Sequence, residues 1–298
     1  MPGRPAGALI SIVSATALWG ASGGVVAGTE ADGVALASLV ELATGALLLA
    51  VAVGRRQPLL AAVTALRWWL PLLGAIEAAN VALYYVALQV APLGPVMAMH
   101  LTAPVILSGL AIARGDLTWT RRRVLSVALI CAALGLITVS RPETSKQAPV
   151  LGVALSLMSA ACLAVFITVA KRTSHHAPPA VLAGSQMLVS GLLLAPAALF
   201  APVPTHELPR VGLTILLFAP ATWLYWYGIR GLSAITAGTI QLAEPVFGAI
   251  TAAILSSTTP GPLDYLIALL VLAAVRLEVR QPIVPRAPPD DAKASAHR

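Results

Sequence analysis

Ten stretches of about 20 mostly apolar residues, parted by short gaps that hold nearly all the charge, leave this chain few shapes to adopt. They run over residues 7–28, 34–53, 68–89, 95–113, 123–140, 149–170, 179–200, 210–229, 235–256 and 262–277. Each can cross the hydrocarbon core of a bilayer as a helix. Together they use nearly the whole chain, so no soluble domain is expected. Composition points the same way: 58% of the 298 residues are hydrophobic and 10% are charged, where a soluble domain carries about 25% charged residues. Too little polar surface is available to face water, which argues against a soluble enzyme and against a disordered chain. The formal charge of +7 does not signal nucleic acid, because the basic residues fill gaps between apolar runs instead of clustering on one polar face. Cys131 and Cys162 both fall inside apolar runs, so no disulfide framework is indicated. The first run follows Arg4 as a signal peptide would. Its length, its Trp19, Gly20, Gly23 and Gly24, and the nine runs after it mark it as a retained helix.

The basic residues also orient the chain, since cytoplasmic loops of membrane proteins are enriched in Lys and Arg. Of the 19 here, all but Arg141, Lys146 and Arg210 lie at the N-terminus, in every second gap after it, or at and beyond the end of the tenth run. Both termini are therefore expected in the cytoplasm, and an extra or missing helix would scramble this asymmetry. From residue 280 the chain turns polar, with Pro282, Pro285, Pro288 and Pro289. It is expected to be a disordered cytoplasmic tail.

Runs four and nine look alike. Tyr84-Tyr85 leads through Leu101 to Pro104-Val105, and Tyr225-Trp226 leads through Leu242 to Pro245-Val246, at a constant offset of 141 residues. A duplicated unit of five spans is odd-numbered, so its second copy must enter the membrane in the opposite sense. The expected fold is an all-α integral membrane protein. Its ten transmembrane helices form two inverted five-helix repeats, residues 1–141 and 142–279, followed by the tail 280–298. Inverted repeats are common in secondary transporters, with a substrate site near the midplane where the halves meet.

The stretch Glu77-Ala-Ala-Asn80, then Tyr84-Tyr85 through Pro92 and Gly94 to Pro104, resembles the EamA-type members of the drug/metabolite transporter superfamily. The segment Gln241-Leu-Ala-Glu244-Pro245-Val246 resembles the "EP" element of that family's ninth helix. The resemblance covers essentially all ten runs and looks closest to the threonine/homoserine exporter branch. It implies proton-coupled efflux of amino acids or related metabolites across a bacterial inner membrane, through a cavity shared by both halves. The sequence departs from the pattern in four places. Glu41 stands where the family often has an Arg, and His100 where the close branch has an acid. Gly115-Asp116 replaces Gly-Glu after helix four, and Ser256-Ser257 stands at its counterpart after helix nine.

Ionisable side chains at bilayer depth cost at least about 2.5–3.5 kcal/mol, so they tend to face a cavity or a partner. Here they are Glu41, Glu77, His100 and Glu244, with Asn80 and Gln241 beside them. Glu77, Asn80 and Tyr84 share one helical face, either as a cavity wall or as hydrogen-bonding glue between helices. Gln241 and Glu244 precede Pro245, which frees a carbonyl four residues back. Glu244 is a candidate for the coupling proton, because desolvation disfavours an ionised carboxyl; the structural alternative is a paired acid that locks the halves. His100 occupies the position equivalent to Gln241, and a histidine titrates close to physiological pH. It is a second proton carrier or a helix-bridging donor. Trp223 is placed in the cavity, where its face would hold an ammonium group; Tyr227 and Arg230 are assigned to the interface. Glu41 shares a face with Ser38 and Gly45 and is either a specificity and coupling residue or a pair across a close helix contact.

Missing signals count as well. No GxxxxGK[ST] loop appears, so ATP-driven pumping by this chain is not expected. His206-Glu207 lacks the second histidine of a helical zinc motif, and His175-His176 has no Cys or carboxylate alongside. Neither a metal nor another cofactor is expected, and no enzymatic activity. The expected partners are a small-molecule substrate, protons and the lipid bilayer. The rival functions are export of cationic drugs on the same fold and, more remotely, an intramembrane enzyme or a receptor.

Overall fold

A backbone surrounded by lipid must satisfy its N–H and C=O groups within itself, and the chain does so through helices. The computed structural model describes residues 5–26, 29–91, 96, 99–113, 120–140, 149–201, 203–244, 246–248, 250 and 262–279. Within these the helices are α1 (Pro5–Val26), α2 (Gly33–Gly54), α3 (Leu59–Leu66), α4 (Trp69–Val90), α5 (Ala103–Ala113) and α6 (Arg121–Ser140), followed by α7 (Pro149–Thr173), α8 (Pro179–Phe200), α9 (Leu208–Gly228), α10 (Ala234–Gln241) and α11 (Pro262–Val279). A 3₁₀ turn, Thr205–Glu207, leads into α9. No strand occurs among the described residues. Asp32 caps α2 by accepting from the backbone N–H of Val34 and Ala35, and Ser233 caps α10 by accepting from Thr236.

Among the described residues, six helices are long and apolar enough to cross a membrane: Ala6–Val26, Gly33–Gly54, Trp69–Val90, Val150–Thr173, Pro179–Phe200 and Thr205–Gly228. Their outward faces stay apolar, with Leu72, Leu192, Leu199, Phe200 and Leu216 exposed as lipid-facing residues would be. The other four expected spans include residues outside those described, and their described helices are α5, α6, α10 and α11. α6 opens on three arginines, and α11 carries Asp264, Arg276 and Glu278. The fourth and ninth runs are interrupted. One expectation missed an element: α3 fills what read as a loop between the second and third runs. Outside the described residues lie Arg4, Pro92, Gly94, Arg114, Gly115-Asp116, Trp119, Arg141, Lys146, Pro245, Ser256-Ser257 and the tail 280–298.

The interruptions in runs four and nine match. Turns fall at residues 101–102 and 242–243. Around the first, Thr102 N–H donates to Met99 O, and Val105 and Ile106 N–H to Thr102 O. Around the second, Ala243 donates to Ile240 O, and Val246 and Phe247 to Ala243 O, each bond displaced by the same 141 residues. Proline supplies the cause, since Pro104 has no N–H for the His100 carbonyl.

The packing has the same duality. α1 packs on α9 as α4 packs on α7, α4 on α8 as α2 on α9, α2 on α4 as α8 on α9, and α1 on α10 as α5 on α7. The contacts of α2 with α8, α6 with α11 and α5 with α10 join the first half directly to the second, while those of α10 with α7 and with α11 have no counterpart of similar extent among the described residues. The main core runs between these helices, from Ile12 and Leu48 to Ile167, Leu182, Tyr225 and Ile229.

Candidate functional site

The two broken runs and the faces of α4 and α9 converge. α4 brings Glu77, Asn80, Val81, Tyr84 and Tyr85; α9 brings Phe218, Thr222, Tyr225 and Trp226. His100 and Gln241 enter just before the two turns, Glu244 just after the second, and Trp19 and Ser22 come from α1. They enclose about 800 Å³, part of it open to solvent. Six pairs separated by 141 residues line this one space: Ser22 and Leu163, Glu77 and Phe218, Val81 and Thr222, Tyr84 and Tyr225, Tyr85 and Trp226, His100 and Gln241. Gly20 brings α1 close, because a side chain there would collide with the Glu244 carbonyl.

A continuous hydrogen-bonded chain crosses one wall. Asn80 Nδ2 donates to Glu77 Oε2 at 3.4 Å, and Ser159 Oγ donates to Asn80 Oδ1 at 2.8 Å. His100 Nδ1 lies 2.9 Å from the same Ser159 Oγ. A serine has one proton, for which Asn80 Oδ1, the Asn80 backbone carbonyl 2.9 Å away and His100 Nδ1 compete. When that proton goes to Asn80, His100 donates from Nδ1 and keeps Nε2 as its acceptor nitrogen. The Tyr84 ring packs on the imidazole with centroids 4.3 Å apart.

Aromatic rings form the opposite wall, with Trp19 5.2 Å from Tyr225 and 6.1 Å from Phe218. Trp19 Nε1, the Tyr225 hydroxyl and Gln241 Oε1 are buried without a hydrogen-bond partner among the described residues. The cavity thus offers unspent donors and acceptors beside two carboxyls. No Lys or Arg is among its described lining residues.

Six of the eight residues singled out from the sequence line this space: Glu77, Asn80, Tyr84, His100, Gln241 and Glu244. Trp223 does not. The face of α9 turned inward runs through Thr222, Tyr225 and Trp226, which leaves Trp223 rotated away, 6.0 Å beneath the Arg55 guanidinium. Glu41 does not line it either, and is buried at the contact of α2 with α8. Sequence reading missed Ser159, an unremarkable serine in an apolar run. It also missed Trp19 and the inward turn of Tyr85, Tyr225 and Trp226, which the paired aromatic motif signalled without assigning.

At one end of the bundle Glu207 Oε1 accepts from Glu30 N–H, and Arg210 donates to both its oxygens. Glu30, His206 and Glu207 bring three ligand-type atoms within 4.8 Å of one another. Both Glu207 oxygens are already engaged, so the group works as an electrostatic clasp between two loops. At the other end Arg230 donates to the carbonyls of Ser174 and Ala177, and Lys171 to those of Ile229 and Arg230.

An all-helical bundle of membrane-length helices around a polar cavity has the build of a membrane transport protein. Residues 150–279 match the EamA-like transporter family, so the second half of the chain carries an EamA-like domain. Over 199 residues the chain is 29% identical to the threonine/homoserine exporter RhtA of Escherichia coli (strain K12). It is 28% identical to that of Salmonella typhimurium (strain LT2) over the same length. Each match covers 64% of this chain and 64% of the relative. A solved crystal structure shares the fold, with a TM-score of 0.75 at 18% identity over 93% of this chain and 97% of that one.

Proposed function

We propose that this chain is an EamA-type secondary exporter. It moves small metabolites bearing an ammonium group, amino acids of the threonine and homoserine kind first among them, outward across a bacterial inner membrane in exchange for protons. The observation that carries this reading is the cavity, where Glu77 and Glu244 face aromatic walls with no basic residue among the described lining. An ammonium group there gains from the carboxylates and from the ring faces. Trp19 Nε1 and the Tyr225 hydroxyl are donors for a substrate carboxylate. Asn80, Tyr84 and Gln241 shape the pocket.

The coupling follows from competition. A carboxyl that has taken a proton no longer attracts an ammonium, so a proton entering from the acidic side displaces substrate there. Glu244 carries this exchange, with Glu77 or His100 as its partner. The architecture is ten spans in two inverted repeats, residues 1–141 and 142–279, with both termini cytoplasmic and alternating access by rocking of the halves. The paired lining residues, the matched turns and the self-matching helix contacts support it. So do the end loops. Those assigned to one side by charge touch each other, Glu30 with Glu207 and Arg230 with Ser174.

Counterflow in proteoliposomes under an imposed pH gradient tests the reading. Threonine or homoserine flux is expected to follow the gradient, and Glu244→Gln to abolish coupled flux while the melting temperature holds. Flux of every amino acid indifferent to the gradient overturns proton coupling. The same aromatic, acidic lining favours a second reading, export of organic cations. A quaternary ammonium compound that competes where amino acids fail would select it.

A further inference from the structure

Away from the cavity, α2 and α8 cross so closely that their backbones touch. A Cβ on Gly45 would lie 2.7 Å from Leu188 N, and Ser38 Oγ donates to Gly191 O at 3.1 Å. Glu41 is held in this crossing with 1% exposure, Thr44 one turn along the same face, and Ser190 of α8 acts on the Glu41 carboxyl from across it. Both Glu41 carboxyl oxygens, Thr44 Oγ1 and Ser190 Oγ are buried with no hydrogen-bond partner among the described residues. This is unusual within the chain itself. Thr16, Ser156, Thr214 and Thr222 are buried helical hydroxyls too, and each donates to the carbonyl four residues back.

Among the described residues, the groups acting electrostatically on Glu41 include no basic one. α8 contributes no ionisable residue to the contact; α4 contributes Glu77 and Tyr85, which interact electrostatically with Glu41; α9, which carries Arg210, Tyr225 and Tyr227, packs on α2 as well. A buried carboxylate needs a counter-charge, and four oxygens without partners form the donor set that hard cations accept.

We propose that Glu41, Thr44 and Ser190 form an occluded site for a small monovalent cation, a proton or sodium, distinct from the substrate cavity. Occupancy is felt in the cavity through Glu77, which belongs to both neighbourhoods. Binding at this site does not depend on the transport reading. Its use in coupling does.

The test melts the purified full-length protein, without substrate, in sodium chloride or choline chloride at equal ionic strength across a range of pH. If sodium is the occupant, it raises Tm relative to choline, and Glu41→Gln and Ser190→Ala lose the rise. If the proton is the occupant, the two salts agree and wild-type stability falls as pH rises. That fall disappears in Glu41→Gln but persists in Glu77→Gln and Glu244→Gln. A wild type indifferent to sodium whose pH profile coincides with that of Glu41→Gln overturns the proposal. Should Glu41→Gln not fold, Ser190→Ala and Thr44→Val decide, since each keeps the carboxyl and removes one oxygen. Unchanged sodium and pH responses in both would overturn the site. Stabilisation by threonine or an organic cation, measured in parallel, reports on the cavity alone and fails or succeeds independently.

Discussion

Ser159 shows how much one hydroxyl can fix. It donates to Asn80 and lies within hydrogen-bonding distance of His100, so α4, α7 and the segment ahead of α5 meet at one hydroxyl. Ser159→Ala leaves the buried Asn80 Oδ1 unsatisfied, a loss of about 1–3 kcal/mol. The variant should melt lower and transport poorly. Ser156→Ala, whose hydroxyl only bonds back to Gly152 O, should change neither transport nor the melt by a comparable amount. Melting curves and proteoliposome flux on the pair check this. At the helix ends the same logic applies to Arg230. Its contacts satisfy carbonyls that the ends of α7 and its following loop leave open. Arg230→Ala should lower Tm without altering substrate affinity.

At the scale of elements, the turns at 101–102 and 242–243 are the feature most tied to function. A proline within a helix costs about 3 kcal/mol relative to alanine. Pro104→Ala is therefore expected to keep or raise Tm by mending the fourth run, while flux falls because the His100 carbonyl is capped and the side chain re-aimed. A variant with normal flux would show the break to be incidental. The α2–α8 crossing gives a second comparison. Gly45→Ala must push Leu188 aside, an overpacking cost of about 1–3 kcal/mol. Gly54→Ala meets nothing within 4 Å and should be silent. Much of this level was legible in the sequence. α1, α2, α4, α7, α8 and α9 fall within a few residues of apolar runs, because length and apolarity suffice to make a helix in lipid. α3 was not legible, since its eight residues are too short for a span. The acids of the cavity announced themselves by their cost in lipid. Its aromatic walls did not, because Trp and Tyr are equally at home at the interface. The phase separating Trp223 from Trp226 is set by packing alone.

For the whole molecule, the expected topology can be read with single cysteines in a background lacking Cys131 and Cys162. An impermeant maleimide applied from outside should label positions 30 and 206 and spare 56 and 175; labelling of all four, or the reverse pattern, would refute the assigned orientation. The paired lining carries a consequence for energetics. Two identical copies would make a machine indifferent to which side it faced. Here the first half of the chain holds Glu77 and His100 where the second holds Phe218 and Gln241. In the proposed alternating cycle, that inequality of polar endowment would break the degeneracy between inward and outward orientations. Exchanging these residues between the copies is the natural way to reset which way the empty molecule rests.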